Sequence, residues 1–195
     1  MINNRKERLA ADYREMLKIQ DRPYLSWIVT KGELPYAQEY LLTVNIRTYA
    51  LSLKSHRYTV GAIRRCMIKV SLWDSYPVAA PSIRMLDIPP VFHPNWYSKG
   101  TYCPCEPWDP DRSLKDFVMQ MLRTLCYDPA VIELNAPANF KALDWYLKNQ
   151  DDETLFPCDT VELIENDEEE IAVAEKAATT FDEIVDDHPF GKPNT

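Results

Sequence analysis

One cysteine, Cys103, lies in a segment whose composition suits a reactive loop. It follows Asn95 by eight residues, and Gly100 lies between them. Residues 93–108 contain three prolines and two tryptophans, which regular helix and central strand do not accommodate. We predict an ordered irregular loop that presents the Cys103 thiol, because such loops often carry the chemistry of a protein. A buried cysteine in an inert surface loop is the simpler alternative.

The other cysteines leave further possibilities for this loop. The chain has an odd number of cysteines without the spacing of a disulfide framework: Cys66, Cys103, Cys105, Cys126 and Cys158. Reduced thiols and a cytoplasmic location fit this usage. A metal or redox site built from Cys103, Cys105, Cys126 and His93 would need four convergent ligands, and we expect no metal. Cys105 is either a bystander packed under the loop or a second acceptor or resolving thiol.

An amphipathic helix is predicted from Asn3 or Asn4 to about Gln20. Its apolar stripe follows helical spacing and comprises Leu9, Tyr13, Met16 and Leu17. The rest of its surface is basic, with Arg5, Lys6, Arg8, Arg14 and Lys18. Such a face is usually solvated, and the alternative is a docking surface for an acidic partner.

Four strands with alternating apolar residues are predicted next, over residues 25–29, 42–48, 66–72 and 82–86. The polar residues that alternate with the apolar ones predict an antiparallel sheet with one face open to water. After the loop, Ser113 and Asp116 form a capping pair before a strongly amphipathic helix. A further helix is predicted from Asn135 to about Asn149. The fold class is therefore α+β.

Charge divides the chain in two. Residues 1–150 carry a net charge of +5 and residues 151–195 a net charge of −13. We predict a catalytic domain over 1–150 and an acidic, flexible tail over 151–195. The sequence contains neither an apolar run of about 18 residues nor the apolar core of a signal peptide. We expect no membrane partner and no nucleic-acid partner.

Five motifs occur in an order that resembles the ubiquitin-conjugating enzymes. The first is His-Pro-Asn at 93–95, with Gly100 and Cys103 at the matching spacing. The others are Tyr-Pro-Val-Ala-Ala-Pro at 76–81, Trp-Asp-Pro at 108–110, Leu-Cys-Tyr-Asp-Pro at 125–129 and Asn-Ala-Pro-Ala-Asn at 135–139. The resemblance is close over residues 76–149 and does not reach the tail.

That resemblance implies a fold, an activity and partners. The fold would be UBC-like: an N-terminal helix, a four-stranded antiparallel meander, the active-site loop and two C-terminal helices. Cys103 would receive a ubiquitin-like protein from an adenylating activating enzyme, hold it as a thioester, and pass it to a lysine amine of a protein substrate. No cofactor is implied. A catalytically idle module that binds a ubiquitin-like protein is the alternative.

The resemblance also assigns roles to residues around Cys103. Asn95 would donate to the oxyanion formed during lysine attack, or hold the loop that places it. The His93 imidazole would bond to the backbone and so fix the turn. Ala136 stands where the family often has an Asp or Ser that orients the lysine, so Asn135 or Glu133 would have to substitute.

Several departures from the family pattern bear on its partners. The gap from Cys103 to Trp108 is shorter than is usual in the family. By the resemblance, Val78 and Asp111 stand at ligase-contacting positions where the family commonly has an aromatic residue and an alanine. The need for a ligase is therefore left open. The combination is similar to divergent conjugating enzymes of bacterial operons, some implicated in anti-phage defence, which travel with an activating enzyme and a JAB-type peptidase.

Overall fold

The structure, a computed structural model, describes residues 5–54 and 57–158. These residues form three α-helices and six strands, joined by turns and loops. In chain order they are α1 (Arg5–Leu17), β1 (Leu25–Lys31), β2 (Glu39–Val44), β3 (Thr48–Lys54), β4 (Arg57–Ile63), β5 (Cys66–Ser71), β6 (Ser82–Met85), α2 (Leu114–Leu125) and α3 (Phe140–Asn149). None of the described helices is long and apolar enough to cross a membrane.

The main sheet has the predicted meander. Strands β1, β2, β5 and β6 pair in that order, and every pairing is antiparallel. On β2, Tyr40, Leu42 and Val44 are buried, whereas Leu41 and Thr43 between them are only half-buried. One face of the sheet therefore packs in the core and the other is partly open, which confirms the expectation from the alternating pattern.

Helix α2 supports the cysteine loop from the core. Ser113 caps it as predicted, because its Oγ accepts a hydrogen bond from the Asp116 N–H at 3.1 Å. Nine of the twelve residues of α2 are buried. The Phe117 ring lies 5.1 Å from Trp108 and 6.0 Å from Tyr102, measured between ring centroids. The strongest helix of the sequence thus forms the floor under the loop.

The last predicted helix starts later than expected. Helix α3 begins at Phe140, and the Asn139 side chain caps it by accepting from the Ala142 N–H at 3.2 Å. The predicted start at Asn135 is wrong because Glu133 Oε1 accepts from the N–H groups of Asn135 and Ala136, which holds this segment in a turn. The Asn139 N–H also donates to the Pro94 carbonyl at 3.2 Å. The start of α3 is thereby tied to the His-Pro-Asn motif.

A β-hairpin that the sequence analysis missed lies between the second and third strands of the meander. Strands β3 and β4 form a two-stranded antiparallel sheet, from Thr48 opposite Ile63 to Lys54 opposite Arg57, and a bridge joins Ala50 of β3 to Val91. The predicted second strand ran on to Thr48, whereas β2 ends at Val44. The hairpin contacts the segment before the cysteine loop, since the Phe92 N–H donates to the Tyr49 carbonyl at 2.7 Å.

The packed domain extends past Gln150. Phe156 and Cys158 are buried, and the Cys158 N–H donates to the Cys126 carbonyl at 3.0 Å. The Tyr49 hydroxyl donates to the Leu155 carbonyl at 2.9 Å. The first part of the acidic segment, through Leu155, Phe156 and Cys158, therefore packs against residues of the predicted 1–150 domain. Residues 159–195 lie outside the described residues.

Replacing Phe156 with alanine should destabilise the protein by about 3–5 kcal/mol, as truncation of a buried aromatic usually does. The Phe156 ring is 5% exposed and lies 4.7 Å from Tyr127, 5.2 Å from Tyr146 and 5.4 Å from Trp145. Urea unfolding of the full chain measures the loss. The control is Val78→Ala, at an 81% exposed site, which should change stability by less than about 0.5 kcal/mol. Equal stability of the two variants would contradict this docking.

Candidate active site

The Cys103 segment folds back on itself. The Cys103 N–H donates to the carbonyl oxygen of Asn95 at 2.7 Å, and Trp96 pairs with Tyr102 through an antiparallel bridge. The Tyr102 N–H donates to the Ile83 carbonyl on β6 at 3.0 Å. The spacing between Asn95 and Cys103 therefore corresponds to one tight turn, which places the two residues side by side.

Gly100 is required in this turn. Its φ is +85°, a conformation that side-chain-bearing residues rarely adopt. A Cβ at this position would lie 3.0 Å from the Met85 carbonyl oxygen. The Gly100 carbonyl accepts from the Met85 N–H at 2.8 Å. Close backbone approach thus attaches the turn to the end of β6.

His93 is an internal support of the turn. It is fully buried, and its Nδ1 accepts a hydrogen bond from the Asn95 N–H at 2.9 Å. Burial lowers the pKa of His93 to about 3. The imidazole is therefore neutral near pH 7 and holds the backbone of the motif, and it does not act as a proton donor there.

The side chain of Asn95 links the cysteine loop to the segment before α3. It is completely buried. Its Nδ2 donates to the Val131 carbonyl at 3.3 Å, and its Oδ1 accepts from the Glu133 N–H at 2.9 Å. Both functional groups of the amide are thus directed at residues 131–133. Two roles were considered for Asn95, donation to an oxyanion and holding of the loop. This geometry fits the second.

Asn135 and Glu133 lie on the segment that Asn95 holds. Glu133 Oε1 accepts from the Asn135 N–H at 2.7 Å and from the Ala136 N–H at 2.8 Å. The Asn135 side chain is exposed. Among the described residues, no hydrogen bond joins Asn135 to Cys103. Asn95 thus connects Cys103 to Asn135 indirectly, since its side chain binds the Glu133 N–H and the Glu133 carboxylate binds the Asn135 N–H.

The Cys103 side chain is partly exposed. Its Sγ lies 4.0 Å from the Pro104 carbonyl oxygen. Interaction with the Cys103 thiol raises the pKa of the Tyr97 hydroxyl. The sequence analysis did not single out Tyr97. Its only signal was its place in the loop, two residues after Asn95.

Cys105 is packed against α2 instead. Gln120 Nε2 lies 3.5 Å from the Cys105 Sγ, and Gln120 Oε1 accepts from Arg112 at 2.9 Å. Burial, together with the charge of Glu106, raises the pKa of the Cys105 thiol. A raised pKa lowers the thiolate fraction and therefore the reactivity. These contacts favour the bystander interpretation of Cys105.

Two of the sequence motifs meet beside the cysteine loop. The Trp108 indole N–H donates to the Pro77 carbonyl at 2.8 Å, and the rings of Trp108 and Tyr76 lie 5.9 Å apart. Segments 76–81 and 108–110 therefore form one structural unit, although the sequence separates them by more than 25 residues.

A buried ion pair on α1 corrects the predicted basic face of that helix. Arg8 is 5% exposed and Asp12 is 2% exposed, and Arg8 Nε lies 2.7 Å from the Asp12 carboxylate. The Arg8 guanidinium also donates to the carbonyls of Pro110 and Arg112, and Asp12 accepts from the Leu114 N–H at 2.9 Å. Arg8 thus holds the segment after the cysteine loop and belongs to neither a solvated face nor a docking surface.

The four residues considered for a metal site do not converge. Within residues 5–54 and 57–158, no three His, Cys, Asp or Glu side chains come close enough together to hold a metal ion. His93 and Cys126 are fully buried, whereas Cys103 and Cys105 are partly exposed. The alternative of a zinc site at this loop therefore has no ligand cluster to support it.

Comparison with known proteins identifies the fold. No protein-family model and no curated protein matches the sequence. Among solved structures, S. cerevisiae Ubc12 superposes with a TM-score of 0.51 at 19% identity, over 80% of this chain and 77% of that one. Two others have lower scores. A Plasmodium vivax ubiquitin conjugating enzyme E2 has a TM-score of 0.43 at 17% identity, over 60% of this chain and 98% of that one. The human ubiquitin-conjugating enzyme E2 G1 has a TM-score of 0.47 at 14% identity, over 66% of this chain and 99% of that one. The superposition with Ubc12 supports the UBC-like fold that the motifs of this chain predict.

Proposed function

We propose that the chain is a conjugating enzyme that carries a ubiquitin-like protein as a thioester on Cys103. The observation that carries the proposal is the position of this thiol. It is partly exposed, and its backbone is held opposite Asn95 at 2.7 Å in a loop whose motifs match those of the family. The fold supplies the matching scaffold.

The chemistry needs only an accessible thiol and an incoming amine. The Cys103 thiolate attacks the thioester that joins the ubiquitin-like protein to its activating enzyme. The thiolate of the activating enzyme is the leaving group. A lysine amine of the protein substrate then attacks the new thioester. An amide forms, the amine loses a proton to solvent, and the Cys103 thiol is released. No step requires a metal or an organic cofactor.

The supporting residues act on the backbone around this thiol. Asn95 is a positioning residue, because its amide joins the Cys103 loop to residues 131–133. His93 fixes the backbone of Asn95 from the core side. Asn135 is exposed on the segment that Asn95 holds, where an incoming lysine could be oriented. The requirement for a ligase is not part of the proposal.

A cytoplasmic location and a bacterial conjugation operon complete the proposal. All five cysteines are free, and Cys103 must stay reduced to accept an acyl group. The operon assignment, including a role in anti-phage defence, rests on the sequence departures alone. Genes for an adenylating enzyme and a ubiquitin-like protein beside this gene would support it. An isolated gene would favour the alternative of an idle module that only binds a ubiquitin-like protein.

The test is a charging assay. The full chain is incubated with ATP, an activating enzyme and the ubiquitin-like protein encoded beside it. We expect an adduct of the summed mass that disappears on treatment with a thiol reductant, because thioesters exchange with thiols. Binding of the ubiquitin-like protein without any covalent adduct would favour the idle module. Neither binding nor an adduct would contradict both functions.

A further inference from the structure

A basic groove lies beside the turn that carries Cys103. It has a volume of about 430 Å³ and is bordered by the end of β6, by residues 86–90 and by the tip of the turn. Three cationic side chains line it: Lys69, Arg84 and Lys99. We define these walls and the apolar residues between them as the basic groove.

The positive charge of the basic groove is largely uncompensated. Arg84 and Lys99 are exposed, and neither side chain has an ion pair or hydrogen bond within the described parts of the chain. Lys69 lies 3.3 Å from a Glu39 oxygen and is therefore partly neutralised. The groove contains one carboxylate, Asp87, which accepts from the Met67 N–H at 2.6 Å. Three cations thus face one carboxylate that already has a backbone partner.

Apolar side chains make the groove amphipathic. Ile88 is 95% exposed and Leu86 is 43% exposed, and Pro90 lies with them in the lining. Exposed apolar side chains between cations suit a peptide with both apolar and acidic residues. The groove lies within residues 1–150, which carry a net charge of +5, so the charge of this part of the chain and the cations of the groove attract such a peptide together.

The position of Lys99 connects the groove to the reaction. Lys99 precedes Cys103 by four residues, so their Cα atoms are at most about 14 Å apart. An extended peptide covers this distance in about four residues. A substrate whose lysine attacks the Cys103 thioester could therefore place residues two to four positions away against Lys99 and Arg84.

We infer that the basic groove recognises acidic residues that flank the acceptor lysine of the protein substrate. The occupant is an extended acidic segment of that substrate, which needs no fold of its own. This inference rests on the proposed function, and it adds the class of substrate that the same site selects. Arg84 and Lys99 are the specificity-determining residues, because both are exposed and without a charged partner.

The first experiment measures binding to the full, uncharged chain and does not depend on any thioester. The probe is a fluorescent ten-residue peptide with a central lysine followed by three acidic residues, compared with the same peptide carrying Asn and Gln. At low salt we expect the acidic peptide to bind more tightly. The double variant Arg84→Glu/Lys99→Glu should weaken its binding at least about tenfold, since each change replaces an attraction by a repulsion. Lys141→Glu is the control, an exposed lysine on α3 outside the groove.

Equal binding of the two peptides, or an equal loss in Lys141→Glu, would overturn the inference, since only the overall charge would then matter. The second experiment measures single-turnover discharge of the charged protein to each peptide and to free lysine. The double variant should lose the preference for the acidic peptide and keep its rate with free lysine. Slower charging of the double variant would instead assign the groove to the ubiquitin-like protein or its activating enzyme and overturn the inference. Failure of the wild type to charge would contradict the proposed function alone, because the binding experiment still decides the groove.

Discussion

Replacing Cys103 with alanine is expected to abolish the reductant-sensitive adduct with the ubiquitin-like protein. The effect should be complete, because the Cys103 sulfur forms the covalent bond and the neighbouring Cys105 thiol is packed against Gln120 of α2. The substitution removes a partly exposed side chain whose Sγ lies 4.0 Å from the Pro104 carbonyl oxygen. The fold should therefore be unaffected, which thermal unfolding of the variant would verify.

Serine at the same position separates loss of the nucleophile from loss of the site. Cys103→Ser should form an adduct slowly, since an alcohol is a weaker nucleophile than a thiolate. That adduct should resist thiol reductants, because an oxygen ester does not exchange with added thiol. A resistant adduct of the expected mass would locate the acyl group on residue 103.

Cys105→Ala is the matched control. The two thiols are two residues apart, which in an extended loop places them on roughly the same side. Their environments differ, because Cys105 packs against Gln120 and its thiol pKa is raised by burial and by Glu106. We expect this variant to keep the thioester with at most a modest loss. An adduct that survives Cys103→Ala and vanishes in Cys105→Ala would move the nucleophile to Cys105.

The sequence was sufficient for the elements with strong local patterns. The four strands of the meander and helix α2 were predicted, because alternation and helical spacing record which face of each element is buried. The Ser113 cap was also predictable, because the two residues that indicate it, Ser113 and Asp116, lie within one four-residue segment. The spacing of Asn95, Gly100 and Cys103 became a turn that aligns Asn95 with Cys103.

Features that depend on distant partners were not predictable. Arg8 has the same residue type as its solvated neighbours on α1, and its burial depends on the Pro110 carbonyl, 102 residues later. Phe156 is one apolar residue in an acidic segment, yet rings of Tyr127 and Trp145 surround it. In the hairpin of β3 and β4, three consecutive residues of β3 (Thr48, Tyr49 and Ala50) are buried while Gly61 opposite Ala50 is exposed, so no alternating pattern marks it in the sequence.

Asn95→Ala is expected to slow discharge to lysine while leaving charging intact. Cys103 is held by the backbone carbonyl of Asn95, which the substitution keeps. The side-chain amide is lost, and with it both bonds to residues 131–133. The segment that carries Asn135 should therefore loosen. A misplacement of about 1 Å at such a site can reduce a rate about 100-fold, and this is the size of the effect that we expect in single-turnover discharge.

The same substitution should lower stability by about 1–3 kcal/mol, because it leaves backbone groups of Val131 and Glu133 without partners. Asn95→Asp then distinguishes the two roles of the side chain, compared below the temperature at which either variant unfolds. The aspartate can still accept from the Glu133 N–H, but it cannot donate to an oxyanion. If Asn95 holds the loop, as its buried geometry indicates, Asn95→Asp should recover part of the discharge rate. If Asn95 instead stabilises the oxyanion, Asn95→Asp should be at least as slow as Asn95→Ala, since its negative charge would repel the developing one.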